Sequence, residues 1–196
     1  PMKLLEIPML REMWVDRTDY HHTRVVQGDL PKPSEGEILV SIDKFAMTAN
    51  NVTYAASGDI FGYWQFYPTG EDPWGKVTVW GIGEVLVSHA EGIVVGERLY
   101  GFFPMASHVV MKPGERAERG FTDTMPHRGE LPGLYNYYAR TQSESVQLQA
   151  LEDQRCIFFP LFMTGYVIAD LLLDNDWFGV QQVVVDEVLV AAAELP

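Results

Sequence analysis

The 196-residue sequence predicts a mostly β, α+β fold: a distorted β-barrel with a few helices and an extra C-terminal helix and strand. Short β-rich runs follow one another between Lys76 and Lys112 with glycine at nearly every break, the mark of a small barrel or sandwich. An apolar content of 47% is enough to fill a core. Near the end, an apolar helix-like stretch gives way to the β-branched run VQQVVVDEVLV.

Taken in order, KLLEIPML (3–10) and HHTRVVQGDL (21–30) are strand material. Pro31, Pro33 and Gly36 mark a turn, after which EILVSIDKF (37–45) reads as a strand buried on one face. Its continuation, 46–54, loses alternation and predicts a loop passing into a short helix. Between Gly58 and Gly75, Phe61, Tyr63, Trp64, Phe66, Tyr67 and Trp74 crowd among glycines and prolines, which predicts a long aromatic loop. Three strand-like runs then extend to Lys112. Residues 113–132 are polar, charged and rich in Gly and Pro, and read as a surface excursion. Tyr135, Tyr137 and Tyr138 open an irregular or helical stretch through Gln149, and Thr164–Leu173 has the look of an apolar helix ended by Asp174-Asn175-Asp176.

Fourteen Lys and Arg against 27 Asp and Glu give a net charge of −13, so the surface field opposes phosphate backbones and anionic lipid. Nucleic acid is excluded as an expected partner. No run of 18 apolar residues occurs and the N-terminal residues lack the parts of a leader, so the expectation is a soluble, cytoplasmic protein without a membrane partner. The single cysteine, Cys156, sits in the apolar run CIFFPLF and reads as an inert core thiol.

Four segments in this order resemble the GroES-like catalytic domain of the medium-chain dehydrogenase/reductase superfamily. They are Gly36-Glu37-Ile38-Leu39-Val40; Gly83-Glu84-Val85-Leu86-Val87-Ser88; Gly96-Glu97-Arg98-Leu99-Tyr100-Gly101; and Leu161 with Thr164-Gly165-Tyr166. The run ANNVTYA and the Tyr-rich insertion look closer to a poorly characterised bacterial branch described as a domain of unknown function. The resemblance, over roughly residues 3–185, implies a GroES-like barrel domain over 1–160 with an insertion at 113–150. Residues 161–196 would then be a helix and strand left from the connection to a nucleotide-binding domain.

Two departures qualify it. Zinc-dependent members need a thiolate, a histidine and a carboxylate around a tetrahedral ion, yet Phe45-Ala46-Met47-Thr48 and Val79-Trp80-Gly81 stand where ligands would be. The expectation is a zinc-independent protein, with His21, His22, His89, His108 and His127 as ordinary surface or core histidines. A dinucleotide cradle also needs a glycine-rich turn between strand and helix, and Gly81-Ile82-Gly83 is followed by a strand-like run instead. No cofactor is expected in the chain as it stands, and NADP(H) only if a longer chain or a partner supplies the nucleotide-binding domain.

By position in the resemblance, Thr48, Asn50, Asn51 and Tyr54 would face the cleft and act on a substrate carbonyl, and Thr164 would lie near the nicotinamide. Asn amides and phenols suit this task because they donate hydrogen bonds to developing oxyanion charge while remaining neutral. Asn50-Asn51 could equally cap a short helix. Tyr63, Trp64, Phe66, Tyr67, Trp74, Tyr135 and Tyr138 are the candidates for lining a site for a flat, apolar or aromatic molecule, or alternatively for core packing. Asp59, Glu71 and Asp72 offer acid/base groups or solvated turn residues. Ser107-His108 is a weak hydrolase signal.

Three functions remain open on sequence alone. The first is a zinc-independent reductase, or its substrate-binding half, acting on a small apolar carbonyl or enone. The second is a cofactor-independent hydrolase, lyase or isomerase using the barrel pocket, and the third a noncatalytic binding or assembly module. An apolar C-terminal segment also predicts a homodimer or higher oligomer.

Overall fold

The computed structural model describes residues 9–179. Among these residues ten strands form two antiparallel sheets, and the architecture is the mostly β, α+β one that the sequence predicts. The small sheet pairs β1 (Leu10–Asp16) between β2 (Asp19–Gly28) and β4 (Trp74–Gly75). The large sheet has seven strands in the order β7, β3, β5, β6, β10, β9, β8 and curls into a half-barrel. Its strands are β3 (Ile38–Phe45), β5 (Thr78–Ser88), β6 (Arg98–Pro104), β7 (His108–Met111), β8 (Pro113–Ala117), β9 (Gly120–Asp123) and β10 (Tyr137–Arg140). The arrangement is consistent with a GroES-like domain.

The central strand β5 runs between β3 and β6, where Val79, Ile82 and Val85 are fully buried. Gly81 and Gly83 are in the middle of this strand rather than at a turn. A Cβ at Gly81 would stand 2.6 Å from the Lys44 carbonyl oxygen, and one at Gly83 2.6 Å from Val40 Cγ1, so both glycines permit β3 to pack close.

Helix α1 (Ala49–Ala56) follows β3, as expected, and α2 (Gly58–Phe61) follows it directly. The aromatic stretch is therefore more regular than a loop: α2, a 3₁₀ turn at Tyr63–Gln65 and β4 all fall within it. Packing explains the difference. Phe66 and Tyr67 are buried in the main core, and Trp64 anchors a second cluster with Val15, Ala55 and Val77, so tertiary contacts fix backbone that glycine and proline alone would leave irregular.

The polar stretch 113–132 is a surface excursion only in part, exposed over Glu115–Arg119 but not throughout. It contributes β8 and β9 to the large sheet and carries Arg128, which has no exposure at all. Two of its charges, Asp123 and Arg128, are buried because they neutralise each other inside, whereas Glu115, Arg116, Glu118 and Arg119 are exposed. Arg128 Nη1 lies 2.7 Å from Asp123 Oδ2, 3.0 Å from Tyr67 Oη and 2.9 Å from Tyr138 Oη. Both phenols donate to the Phe102 carbonyl oxygen. Arg128 Nε donates to Asn136 Oδ1 and Nη2 to the Tyr135 carbonyl oxygen.

The last described helix, α4 (Glu152–Asp174), starts twelve residues before Thr164 and runs through Pro160; it follows the short helix α3 (Val146–Gln149). Its first turns are fastened to the barrel, where Glu152 accepts from Arg98 Nε at 3.0 Å and Asp153 from Lys44 Nζ at 2.9 Å. Beyond Pro160 its apolar side chains, including Val167, Leu171 and Leu173, are exposed. By length and composition α4 could cross a membrane, although no unbroken apolar run of that length exists in it. The strand expected within 181–192 lies outside the described residues.

Replacing Arg128 by Met should destabilise the fold by roughly 3–5 kcal/mol, because it leaves Asp123 and two phenols buried without their cation. Urea titration of the variant checks this. The Arg98 guanidinium, through hydrogen bonds, holds the Glu152 carboxyl below its ordinary value of 4.5. A depressed folded value means that the contact stabilises at pH above the ordinary range and is lost as pH falls through the folded value. Hydrogen exchange of α4 should therefore stay slow down to below pH 4.5 and rise only on further acidification, with the rise shifted to higher pH in Arg98→Gln.

Candidate functional site

Two adjoining cavities open between the half-barrel and α4. The smaller, about 180 Å³, is walled by Asn50, Tyr54, Trp80, Tyr135, Phe159 and Thr164, among others. The larger, about 540 Å³, shares Trp80, Leu134, Phe159 and Met163 with it and continues past Tyr100 toward Arg119 and Arg155. Elements from distant parts of the chain build these walls. Helix α1 supplies Asn50 and Tyr54, the sheet supplies Trp80 and Tyr100, the 3₁₀ turn Gly133–Asn136 supplies Leu134 and Tyr135, and α4 supplies Phe159, Met163 and Thr164.

The shared wall is aromatic. Trp80 stacks on Tyr100 with centroids 5.6 Å apart, and Phe159 meets Tyr100 edge-on at 5.3 Å. Tyr135 lies 6.0 Å from Trp80 and bonds through its hydroxyl to the Tyr63 hydroxyl at 3.0 Å. Such a surface favours a flat apolar molecule.

Tyr54 is the polar group placed best for chemistry. The Trp80 indole N–H donates to its hydroxyl oxygen at 3.2 Å. Its own proton has no acceptor among the described residues, so the phenol can donate into the smaller cavity. Burial raises its pKa, against a smaller lowering by the Trp80 hydrogen bond, so it stays protonated at neutral pH. Asn50 is half-buried at the same cavity, and its amide makes no hydrogen bond among the described residues.

Other sequence candidates are placed differently. Thr48 is the N-cap of α1, and Asn51 accepts from the Thr48 backbone N–H at 2.6 Å and donates to the Thr78 carbonyl oxygen at 2.8 Å. Both Asn51 groups are thus committed to capping α1 and tying it to β5, and neither residue walls the two cavities. Thr164 borders the smaller cavity and donates its hydroxyl proton to the Pro160 carbonyl oxygen at 2.9 Å. Tyr63 stands behind Tyr54, with ring centroids 4.8 Å apart. Trp64, Phe66, Tyr67 and Tyr138 are core, and Trp74 lies under the Arg24 guanidinium at 4.1 Å, away from the cleft.

Asp59, Glu71 and Asp72 are exposed and paired with Arg17 or Arg24. Ser107 Oγ accepts from the Arg11 backbone N–H at 2.9 Å and contacts His108 Nδ1, which ties β1 to β7. Among the described residues no three His, Cys, Asp or Glu side chains converge as a metal site. The residues that sequence reasoning missed as walls are Trp80, Tyr100, Leu134, Phe159, Met163 and Arg155. Trp80 and Tyr100 sit in strands indistinguishable by pattern from core strands, and no spacing links them to α4.

The structure also tests the resemblance for a nucleotide cradle. Pyrophosphate needs backbone N–H groups free at a strand-to-helix turn. Gly81 and Gly83 instead have their space filled by β3, so this Gly-x-Gly does not form a dinucleotide cradle.

The protein-family model described as a protein of unknown function (DUF2855) matches residues 45–188. No curated protein matches the chain. Among solved structures, mycobacterial Rv1454c complexed with NADPH is 19% identical, with 53% of this chain and 30% of that chain covered and a TM-score of 0.36. CurA from Vibrio vulnificus is 16% identical over 54% of this chain and 31% of that one, with a TM-score of 0.40. The quinone oxidoreductase from Coxiella burnetii is 11% identical over 66% of this chain and 40% of that one, with a TM-score of 0.41. The chain thus spans 30–40% of the length of these three structures.

Burial pushes the Cys156 thiol up to about 11. At pH 8 only about one thiol in a thousand would then be thiolate. Iodoacetamide should accordingly label the folded chain far more slowly than the urea-unfolded chain, and mass spectrometry of a time course measures the ratio.

Proposed function

We propose that this chain, which belongs to the DUF2855 family, supplies the substrate-binding half of a zinc-independent, reductase-type enzyme acting on a small, flat, apolar carbonyl or enone. The observation that carries the reading is the Tyr54 hydroxyl. It accepts a hydrogen bond from Trp80 and keeps its own proton for the cavity, and it does so beside an aromatic wall.

The substrate's flat body would lie along Trp80 and Phe159, with its carbonyl oxygen toward Tyr54 and Asn50. As charge develops on that oxygen, the Trp80 indole polarises the Tyr54 O–H and the phenol donates more strongly. Asn50 adds a second neutral donor. The reductant, NADP(H), would be held by a nucleotide-binding domain supplied by a longer chain or by a partner. The reductase assignment rests on the resemblance of the four sequence segments, and the aromatic wall with the Tyr54 hydroxyl supports the substrate class.

Titration with benzylideneacetone, a neutral flat enone, tests the reading. Tyr54→Phe should weaken its binding by roughly threefold to tenfold, the worth of one hydrogen bond, with the circular dichroism spectrum unchanged. Equal affinity for the variant, or no binding to the unmodified chain, would contradict it. Turnover of the enone by the full protein that persists without NADPH would contradict the reductase part alone.

A further inference from the structure

The larger cavity measures about 540 Å³ against about 180 Å³ for the smaller, and Trp80, Leu134, Phe159 and Met163 are walls of both. One ring-sized group fills the smaller of them, since an apolar cavity of about 150 Å³ already holds benzene. A one-ring carbonyl compound with its oxygen at Tyr54 would therefore reach the shared walls and leave most of the larger cavity to water.

Three large apolar side chains are exposed along that larger cavity. Leu134 comes from the 3₁₀ turn Gly133–Asn136, Tyr137 from β10 and Leu148 from α3. Separate elements thus bring their apolar groups to one hollow, where they meet Phe159 and Met163 of α4. Apolar surface gathered in a concavity that continues a binding site is surface that a longer ligand would remove from water. The charges on this wall make no demand on the ligand: Arg155 and Glu144 are ion-paired with each other, and Arg119 is exposed to solvent.

We propose that the larger cavity takes an uncharged apolar arm of the substrate, about one further ring long, carried at the end of the flat body away from the carbonyl. This rests on the reading of the smaller cavity as the carbonyl site. Trp80 and Phe159 carry the flat body, and Leu134 and Met163, which wall both cavities, flank the arm where it crosses between them. Tyr137 and Leu148, which wall only the larger cavity, receive its end.

The test compares three neutral enones by calorimetric titration: benzylideneacetone, its biphenyl analogue with a second ring at the para position, and chalcone, whose second ring sits beside the carbonyl. The biphenyl enone should bind at least roughly tenfold more tightly than benzylideneacetone, the worth of burying on the order of 60 Å² of apolar surface. Chalcone should show no such gain, because its added ring falls in the smaller cavity. Leu148→Asn, a change at an exposed position, should remove most of the biphenyl gain while leaving benzylideneacetone affinity and the melting temperature unchanged. Val146→Asn, an equally exposed change on α3 that does not wall the cavity, should preserve the gain. Equal affinity for the biphenyl enone and benzylideneacetone, an equal gain with chalcone, or a gain that survives Leu148→Asn would overturn the arm site. The two proposals fail separately. Tyr54-dependent binding of benzylideneacetone with no biphenyl gain overturns the arm alone, whereas a Leu148-dependent gain with affinities that Tyr54→Phe leaves unchanged overturns the carbonyl contact alone; if none of the three enones binds, both fail.

Discussion

The cleft depends on one buried ion pair, Arg128 with Asp123. An uncompensated guanidinium inside a barrel would cost many kilocalories, so its neighbours are fixed by the need to satisfy it. Arg128 meets Asp123 and the two phenols through Nη1, the Asn136 amide oxygen through Nε and the Tyr135 carbonyl through Nη2. The phenols pass the constraint to Phe102 in β6, and the carbonyl passes it to the turn that carries Leu134 and Tyr135. One charge thereby sets the position of a cleft wall several residues away. Replacement by an apolar side chain of similar volume would leave Asp123 stranded, which is why the pair acts as a unit.

The opposite wall is held by a different kind of contact. Helix α4 is tied at its start by surface-accessible ion pairs from Arg98 and Lys44, and by Arg155 lying across Tyr100. Acidic residues in its first turn also suit the positive end of a helix. Exposed pairs of this kind are individually weak and salt-sensitive, in contrast with the sealed Arg128 cluster. The cleft therefore lies between a rigid wall and a more loosely fastened one. That difference suits a binding site, where a substrate must enter and leave.

Much of the fold was legible because periodicity and glycine report local geometry. EILVSIDKF became β3, while ANNVTYAA became α1. The polar stretch 113–132 was partly misread because burial of charge is a tertiary fact: Arg128 and Asp123 look like surface residues until their partners are known. The site was half legible. Tyr54, Asn50, Tyr135 and Thr164 meet at one cavity. Asn51 and Thr48 answer instead to the backbone of α1, the alternative that their helix-capping chemistry already allowed. Trp80 and Phe159 were invisible because their pairing spans two distant segments, and no spacing encodes it.

The central claim is that a flat carbonyl compound binds between Trp80 and Phe159 with its oxygen at Tyr54. A crystal structure of the chain soaked with benzylideneacetone tests it most directly. The account predicts the phenyl ring along Trp80 and Phe159, and the carbonyl oxygen within hydrogen-bonding distance of the Tyr54 hydroxyl. Density on the aromatic stretch beside Trp64 and Trp74, with the cleft beneath α4 left to solvent, would contradict it.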